Sequence, residues 1–80
     1  MTTTFERVCG VIVDVMTVDP RRVTTDTDIE ADLGPDSLEQ VEIVMGLETE
    51  FEVDLGDDLT RFGMVGDVVD RIDAVLEGRE

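Results

Sequence analysis

The 80-residue sequence contains no histidine and no lysine, and it has a single cysteine, Cys9. Without histidine, catalysis and metal binding by imidazole are excluded, and without lysine so is Schiff-base chemistry. One cysteine can form neither an internal disulfide nor a structural zinc site. Cys9 falls on an apolar helical stripe, so we interpret it as a small buried side chain. We therefore expect a protein with no catalytic residue and no dedicated metal site.

Long apolar segments are also missing from the sequence. No run approaches the roughly 18 residues that a membrane span needs. No basic N-terminal region precedes an apolar stretch in the manner of a signal peptide. Together with the near absence of cysteine, this pattern is typical of a cytoplasmic protein.

Basic side chains are scarce, since six arginines face 21 acidic residues and leave a formal net charge of −15 at pH 7. This charge excludes nucleic acid and anionic membranes as partners, because both require positive charge on the protein. It favours partner proteins with basic surfaces, or cations. The hydrophobic content of 41% is that of a folded chain. We expect one small domain over residues 1–80, acting as a monomer.

The spacing of apolar residues predicts three main helices, at Phe5 to Met16, Ser37 to Phe51 and Met64 to Leu76. Asp19-Pro20 is expected to end the first helix, because the residue before proline avoids the α conformation. A polar loop then leads to the second helix. A short third helix is predicted at Asp57 to Phe62. The fold class is therefore all-α, an antiparallel bundle of three main helices plus one short third helix.

The second helix is predicted to have two apolar faces. On a helical wheel one side would face the core and carries Ile43, Val44, Leu47 and Phe51. The opposite side carries Leu38, Val41 and Met45, flanked by Glu39, Glu42 and Glu48. An exposed apolar stripe bordered by carboxylates is typical of a surface that docks into a basic partner groove. The alternative is that this stripe packs beneath the loop or the short third helix.

The start of the second helix predicts a helix cap at Ser37, with Gln40 completing a capping box. In context, however, the run from Asp32 to Leu38, DLGPDSL, closely resembles the signature of the acyl carrier protein family. The following segments Val41–Met45 and Leu47–Phe51 resemble that family's acidic second helix. The predicted order of helices matches the family over most of the chain.

This resemblance implies a carrier and not an enzyme. Ser37 would receive 4′-phosphopantetheine from coenzyme A through a separate Mg²⁺-dependent phosphopantetheinyl transferase, with Gly34, Asp36 and Leu38 surrounding the attachment point. The thiol of the arm would hold acyl intermediates as thioesters. Ketosynthases, acyltransferases and other enzymes of fatty-acid or polyketide biosynthesis would dock through their basic surfaces. The docking residues implied by the family are Leu38, Glu39, Val41, Glu42, Met45 and Glu48.

Gly46 and Glu30 are among the positions that depart from the family pattern. Gly46 stands where alanine is usual, which lowers helix propensity by about 1 kcal/mol. Glu30 falls where an apolar residue often lines the acyl-chain pocket. We infer that long saturated chains are sequestered poorly, so that a polyketide or other specialised cargo is as consistent with the sequence as a fatty acid.

Three alternatives remain open at this stage. A peptidyl or aminoacyl carrier of nonribosomal synthesis would share the fold and the serine chemistry, but its second helix is usually less acidic. A calcium-binding loop through Asp26, Asp28, Glu30 and Asp32 fails the EF-hand pattern in both registers. In the first, Ala31 and Ser37 replace the required glycine and the final glutamate; in the register shifted by two residues, Glu39 supplies the final glutamate but Leu33 replaces the glycine. An interaction module in which Ser37 is only a helix N-cap is the third.

Overall fold

The computed structural model describes residues 3–55 and 63–78. Its three α-helices are α1 (Thr4–Met16), α2 (Ser37–Phe51) and α3 (Val65–Glu77). Two short turns lie between α1 and α2, a 3₁₀ turn at Pro20–Arg22 and a π-helical turn at Ile29–Leu33. An isolated bridge between Asp28 and Met64 is the only β-type pairing within these residues. The all-α prediction is confirmed, while the predicted short helix Asp57 to Phe62 lies outside the described residues.

Helix α1 begins with a complete capping box and ends at Met16, as predicted. The Thr3 side chain accepts a hydrogen bond from the Glu6 N–H, and the Glu6 carboxylate accepts one from the Thr3 N–H. Thr17 adopts the left-handed conformation (φ 54°), and its N–H donates to the Val13 carbonyl at 2.8 Å. The prediction that Asp19-Pro20 ends this helix is wrong, because the left-handed residue stops it two residues before that pair.

The core lies where the three helices meet. Helices α1 and α2 run antiparallel, since Arg7 near the start of α1 contacts Glu50 near the end of α2, and Val11 further along α1 lies close to Gly46. Each helix contributes a buried apolar stripe, as the spacing predicts. The buried side chains are Val8 and Ile12 of α1, Ile43, Leu47 and Phe51 of α2, and Val65, Val68 and Ile72 of α3, joined by Val23, Ile29 and Leu55. No helix in the described segments is long and apolar enough to cross a membrane.

Arg7 fastens α1 to the C-terminal end of α2. Its Nε donates to the Glu50 carboxylate at 2.8 Å, and a terminal guanidinium nitrogen donates to the Glu50 carbonyl at 2.6 Å. The guanidinium also lies 4.3 Å from the centre of the Phe51 ring. An acidic residue in the last turn of a helix is unfavourable for the helix dipole. Arg7 offsets that cost and satisfies a carbonyl that the helix leaves unpaired.

Gly46 permits the close approach of α1 and α2. A Cβ atom at this position would lie only 2.7 Å from Val11 Cγ1, whereas a Cβ atom at Gly10 would meet no atom within 4 Å. The glycine that departs from the family pattern is therefore explained by packing. Its lower helix propensity is the cost of a tighter contact between the two helices.

Substitution by alanine is expected to have different effects on stability at Gly10 and at Gly46. Gly10→Ala should raise the free energy of unfolding by about 0.5–1 kcal/mol, the usual gain of alanine over glycine within a helix. Gly46→Ala should give no such gain, because the stiff Val11 side chain must move. Urea denaturation measures both, and adding Val11→Ala should restore the gain at Gly46. Equal stabilisation by both single changes would contradict the close contact.

The connection between α1 and α2 is held by backbone pairing with the start of α3. The Val65 N–H donates to the Thr27 carbonyl at 2.8 Å, and the Gly66 N–H donates to the Thr25 carbonyl at 3.0 Å. Thr27 is buried, and its hydroxyl donates to the Arg22 carbonyl and accepts from the Thr24 N–H, both at 2.9 Å. These bonds fix the path by which the chain reaches the beginning of α2.

Candidate functional site

The segment leading into α2 makes a sharp change of direction at Gly34. This residue follows the π-helical turn in the left-handed conformation (φ 61°), and its N–H donates to the Ile29 carbonyl at 3.1 Å. Side chains with a Cβ rarely adopt this conformation, which favours glycine here. Pro35 follows and is buried. Gly34 therefore sets the direction in which the first residues of α2 emerge.

Asp36, and not Ser37, caps helix α2. Asp36 is extended (φ −77°, ψ 179°), and its Oδ1 accepts a hydrogen bond from the Glu39 N–H at 2.8 Å. The Glu39 carboxylate accepts from the Asp36 N–H at 3.0 Å and completes the capping box. The predicted box of Ser37 and Gln40 is wrong by one residue. Both registers fit the sequence pattern, and the carboxylate is the stronger acceptor for a backbone N–H.

Ser37 is consequently the first residue of α2, with its side chain exposed. Its hydroxyl makes no hydrogen bond to any residue that the structure describes. Ser37 is also the only serine in the sequence. The interpretation of Ser37 as merely an N-cap is therefore wrong, and the hydroxyl can be reached from solvent.

This position suits a phosphodiester. A helix N-terminus carries unpaired N–H groups and the positive end of the helix dipole, both of which favour a bound phosphate. The Asp36 and Glu39 carboxylates lie close by, but each already accepts a backbone N–H. An exposed hydroxyl at such a helix end fits a phosphopantetheine group attached through oxygen.

The outer face of α2 is apolar and exposed, as predicted. The exposed fractions of Leu38, Val41 and Met45 are 68%, 54% and 60%, while Ile43 and Leu47 are buried on the opposite side. We call Leu38, Val41 and Met45 the outer stripe. The described loop does not cover this stripe, so that part of the alternative is wrong, while the short third helix lies outside the described residues. Three large apolar side chains in a row next to Ser37 are typical of a docking surface.

The three glutamates predicted to border the outer stripe have different environments. Glu42 is exposed. Glu39 is half-buried and held in the capping box. Glu48 is half-buried, and its carboxylate accepts a hydrogen bond from the Leu55 N–H at 2.9 Å. Glu42 is therefore the one of the three that is best placed to meet a partner, whereas Glu39 and Glu48 also stabilise the two ends of α2.

Met64 is a further exposed apolar residue that the sequence analysis assigned to the buried last helix. It precedes α3 as its N-cap residue and is 46% exposed. The prediction began the last helix at Met64, one residue before the first residue of α3, and a residue that precedes the first turn is not held on the buried face. A cue was available in the adjacent Gly63, which adopts the left-handed conformation (φ 61°).

Acidic residues of the loop between α1 and α2 form hydrogen bonds that stabilise the π-helical turn. The Asp28 carboxylate accepts from the Ala31 N–H at 2.8 Å, and the Asp32 carboxylate accepts from the Asp28 N–H at 2.9 Å. Over residues 3–55 and 63–78, no group of three or more acidic or cysteine side chains is placed to hold a metal ion. Capping bonds of this kind give the clustered aspartates a structural role.

Cys9 is half-buried, and its thiol lies 3.8 Å from the Val23 carbonyl. Burial, together with the nearby Glu6 carboxylate, raises the pKa of this thiol above its ordinary value. A raised pKa lowers the thiolate fraction at neutral pH, and the thiolate is the reactive form. Cys9 is thus a packed and weakly reactive side chain.

Comparison with known families agrees with this geometry. A family model described as a phosphopantetheine attachment site matches residues 6–72, which include α2 with the segment that leads into it and most of α1 and α3. Members of the family carry 4′-phosphopantetheine covalently, are generally non-catalytic, and interact with a phosphopantetheinyl transferase and with acyl-handling enzymes. The match covers well over half of the 80 residues. The chain therefore belongs to the family of phosphopantetheine-binding carrier domains, and its resemblance to the acyl carrier proteins is confirmed.

Proposed function

We propose that this protein is an acyl carrier in which Ser37 bears the 4′-phosphopantetheine arm. Its acyl intermediates, held as thioesters, would belong to fatty-acid or polyketide biosynthesis. The proposal rests on the exposed Ser37 hydroxyl at the first position of α2. This hydroxyl does not cap the helix, because the Asp36 side chain does. An oxygen so placed can enter the active site of another enzyme without any rearrangement of the helix.

Attachment requires little chemistry from the chain itself. The Ser37 oxygen forms the new bond to the phosphorus of the phosphopantetheine portion of coenzyme A, and the pyrophosphate bond breaks to release adenosine 3′,5′-bisphosphate. The sequence has neither histidine nor lysine to act as a base, and we propose that the transferase takes the serine proton. The residues of the carrier position the oxygen and keep the helix N-terminus accessible.

Docking is proposed to use the outer stripe with Glu42 at its border. Leu38 follows Ser37 directly, and Val41 and Met45 extend the apolar surface along the same side of α2. A partner with an apolar groove and basic rim would cover these side chains and pair with the carboxylate. The charge would chiefly raise the association rate and fix orientation, while burial of the stripe supplies affinity.

An acyl cargo is favoured over an aminoacyl cargo by the acidity of α2. Glu39, Glu42, Glu48 and Glu50 all lie on this helix, and the peptidyl carriers that the chain resembles are usually less acidic there. The net charge of −15 opposes self-association. We therefore propose that the protein acts as a cytoplasmic monomer that visits a succession of basic enzymes.

Loading with phosphopantetheine tests the proposal. The unmodified protein is incubated with coenzyme A, Mg²⁺ and a phosphopantetheinyl transferase of broad specificity, and its intact mass is measured. We expect a gain of one phosphopantetheine per chain. Asp70→Asn is a matched control, because it removes one acidic charge at an exposed position of α3 and should still be loaded. No gain in mass for the wild-type chain would overturn the proposal.

The loaded protein should contain two thiols of unequal reactivity. The arm thiol is exposed, whereas Cys9 is half-buried and its pKa is raised. At about pH 8 a larger fraction of the arm thiol than of Cys9 is deprotonated, so iodoacetamide should alkylate the arm first. Timed alkylation followed by peptide mass mapping measures the order. Faster alkylation of Cys9 would contradict its burial.

A further inference from the structure

A surface cleft lies between α1 and α2, on the α1 side of the outer stripe. It consists of two adjoining cavities of about 510 and 470 Å³ that share Val11, Asp14 and Glu50. The larger cavity is also lined by Arg7 and Gly10. The other is lined by Val15, Met45, Gly46 and Thr49 in addition to the shared residues. We call the whole feature the α1–α2 cleft.

Part of the lining of the α1–α2 cleft is apolar. Val11 and Val15 are half-buried, and Val11 lies close to Gly46, where a Cβ atom would come within 2.7 Å of Val11 Cγ1. Met45 lines the cleft and is also part of the outer stripe, where it is largely exposed. The apolar surface therefore continues from the proposed docking face around α2 and into the cleft.

The rim of the α1–α2 cleft is acidic. Asp14 is exposed and has no hydrogen bond or ion pair within the part of the chain that the structure describes. Glu50 is engaged by Arg7, and the Arg7 guanidinium is in turn held against Phe51. The Glu50 carboxylate therefore compensates the positive charge of Arg7, whereas Asp14 presents an uncompensated negative charge. The overall charge of −15 acts in the same direction.

We propose that the α1–α2 cleft receives a basic amphipathic helix of a partner enzyme. An aliphatic side chain of that helix would rest on Val15 and Met45, and an arginine or lysine would pair with Asp14. A groove between two antiparallel helices accepts a third helix along its ridges. The class of partner rests on the proposed carrier function, whereas attachment at Ser37 does not depend on this cleft.

Amide chemical shifts locate the binding surface directly. The probe is a synthetic helical peptide of leucine and arginine, with leucine at i, i+3, i+4 and i+7, titrated into isotope-labelled protein that lacks phosphopantetheine. We expect the largest shift changes at Val11, Asp14, Val15, Gly46 and Thr49. Asp14→Asn should weaken binding about three- to fivefold, and Thr49→Arg, which places a like charge in the cleft, should weaken it by about tenfold or more.

Matched substitutions on α3 separate this site from attraction to the acidic surface in general. Asp70→Asn removes the same charge, and Ala74→Arg adds the same charge, at exposed positions of α3. Neither should change the affinity by more than about twofold. Equal effects of the paired substitutions, or shift changes confined to Leu38 and Val41, would overturn the inference. Loading of Ser37 would be unaffected by that failure, so the two proposals are tested independently.

Discussion

Ser37→Ala is expected to abolish phosphopantetheine attachment completely and to leave stability unchanged. The substitution removes the only serine oxygen in the sequence, so no mass gain should follow incubation with coenzyme A and the transferase. The free energy of unfolding should stay within about 0.5 kcal/mol of the wild type. Alanine is well tolerated in a helix, and the Ser37 hydroxyl makes no hydrogen bond within the described residues.

Asp36→Ala provides the contrasting result one residue away. It removes the acceptor of the Glu39 N–H, and loss of such a cap typically costs about 0.5–2 kcal/mol. Urea denaturation should therefore show a clear loss for Asp36→Ala, little loss for Asp36→Asn and none for Ser37→Ala. A loss at Ser37→Ala equal to that at Asp36→Ala would mean that the serine is the cap. That result would remove the observation on which the proposed attachment rests.

Leu47→Ala should be among the most destabilising single substitutions in α2. Leu47 is fully buried among the three helices, and truncation of a buried leucine costs about 2–5 kcal/mol. A domain of this size is stabilised by only about 4–12 kcal/mol in total. Thermal or urea denaturation followed by circular dichroism should show a much lower midpoint. Because the helix is disrupted along with the core, loading at Ser37 should also fall.

Val41→Ala is the matched control on the opposite side of the same helix. Val41 is more than half exposed, so its truncation should change the free energy of unfolding by less than about 0.5 kcal/mol. Its effect should appear instead as slower loading by the transferase, because the outer stripe is proposed to dock. Equal destabilisation by the two substitutions would contradict the assignment of inner and outer faces to α2.

Much of this fold could be predicted from the pattern of apolar residues. Helix α1 matches its predicted extent within one residue at the start, and α3 within one residue at each end. The two faces of α2 also follow from the sequence, because seven apolar residues on one helix of this small bundle cannot all be buried. Periodicity succeeds here because each helix has one face against a single core.

Three local features of the structure could not be predicted from the sequence: which residue caps α2, which residue stops α1, and which group the Glu48 side chain contacts. Asp36 and Ser37 both head a sequence that can cap a helix, and only the backbone conformation decides between them. Thr17 ends α1 in a left-handed conformation that threonine seldom adopts, so no residue signal marks it. Glu48 points back to the Leu55 N–H, a contact set by the path of the chain after α2.

The acidic residues that give the protein its large negative charge have two different roles. Several carboxylates are occupied as caps, such as Asp28, Asp32 and Asp36. Others, among them Glu42 and Asp14, are exposed beside apolar surface. The first group shapes the turn and the helix end that present Ser37. The second group is proposed to guide basic partners to the outer stripe and to the α1–α2 cleft.

Localisation of the attached group by tandem mass spectrometry tests the central claim most directly. Trypsin cleaves after Arg22 and Arg61, so one peptide spans residues 23–61 and contains Ser37 together with five threonines. Fragmentation of this peptide from the loaded protein should place a single phosphopantetheine on Ser37. A group found on any threonine, on Cys9 or on no peptide at all would contradict the account.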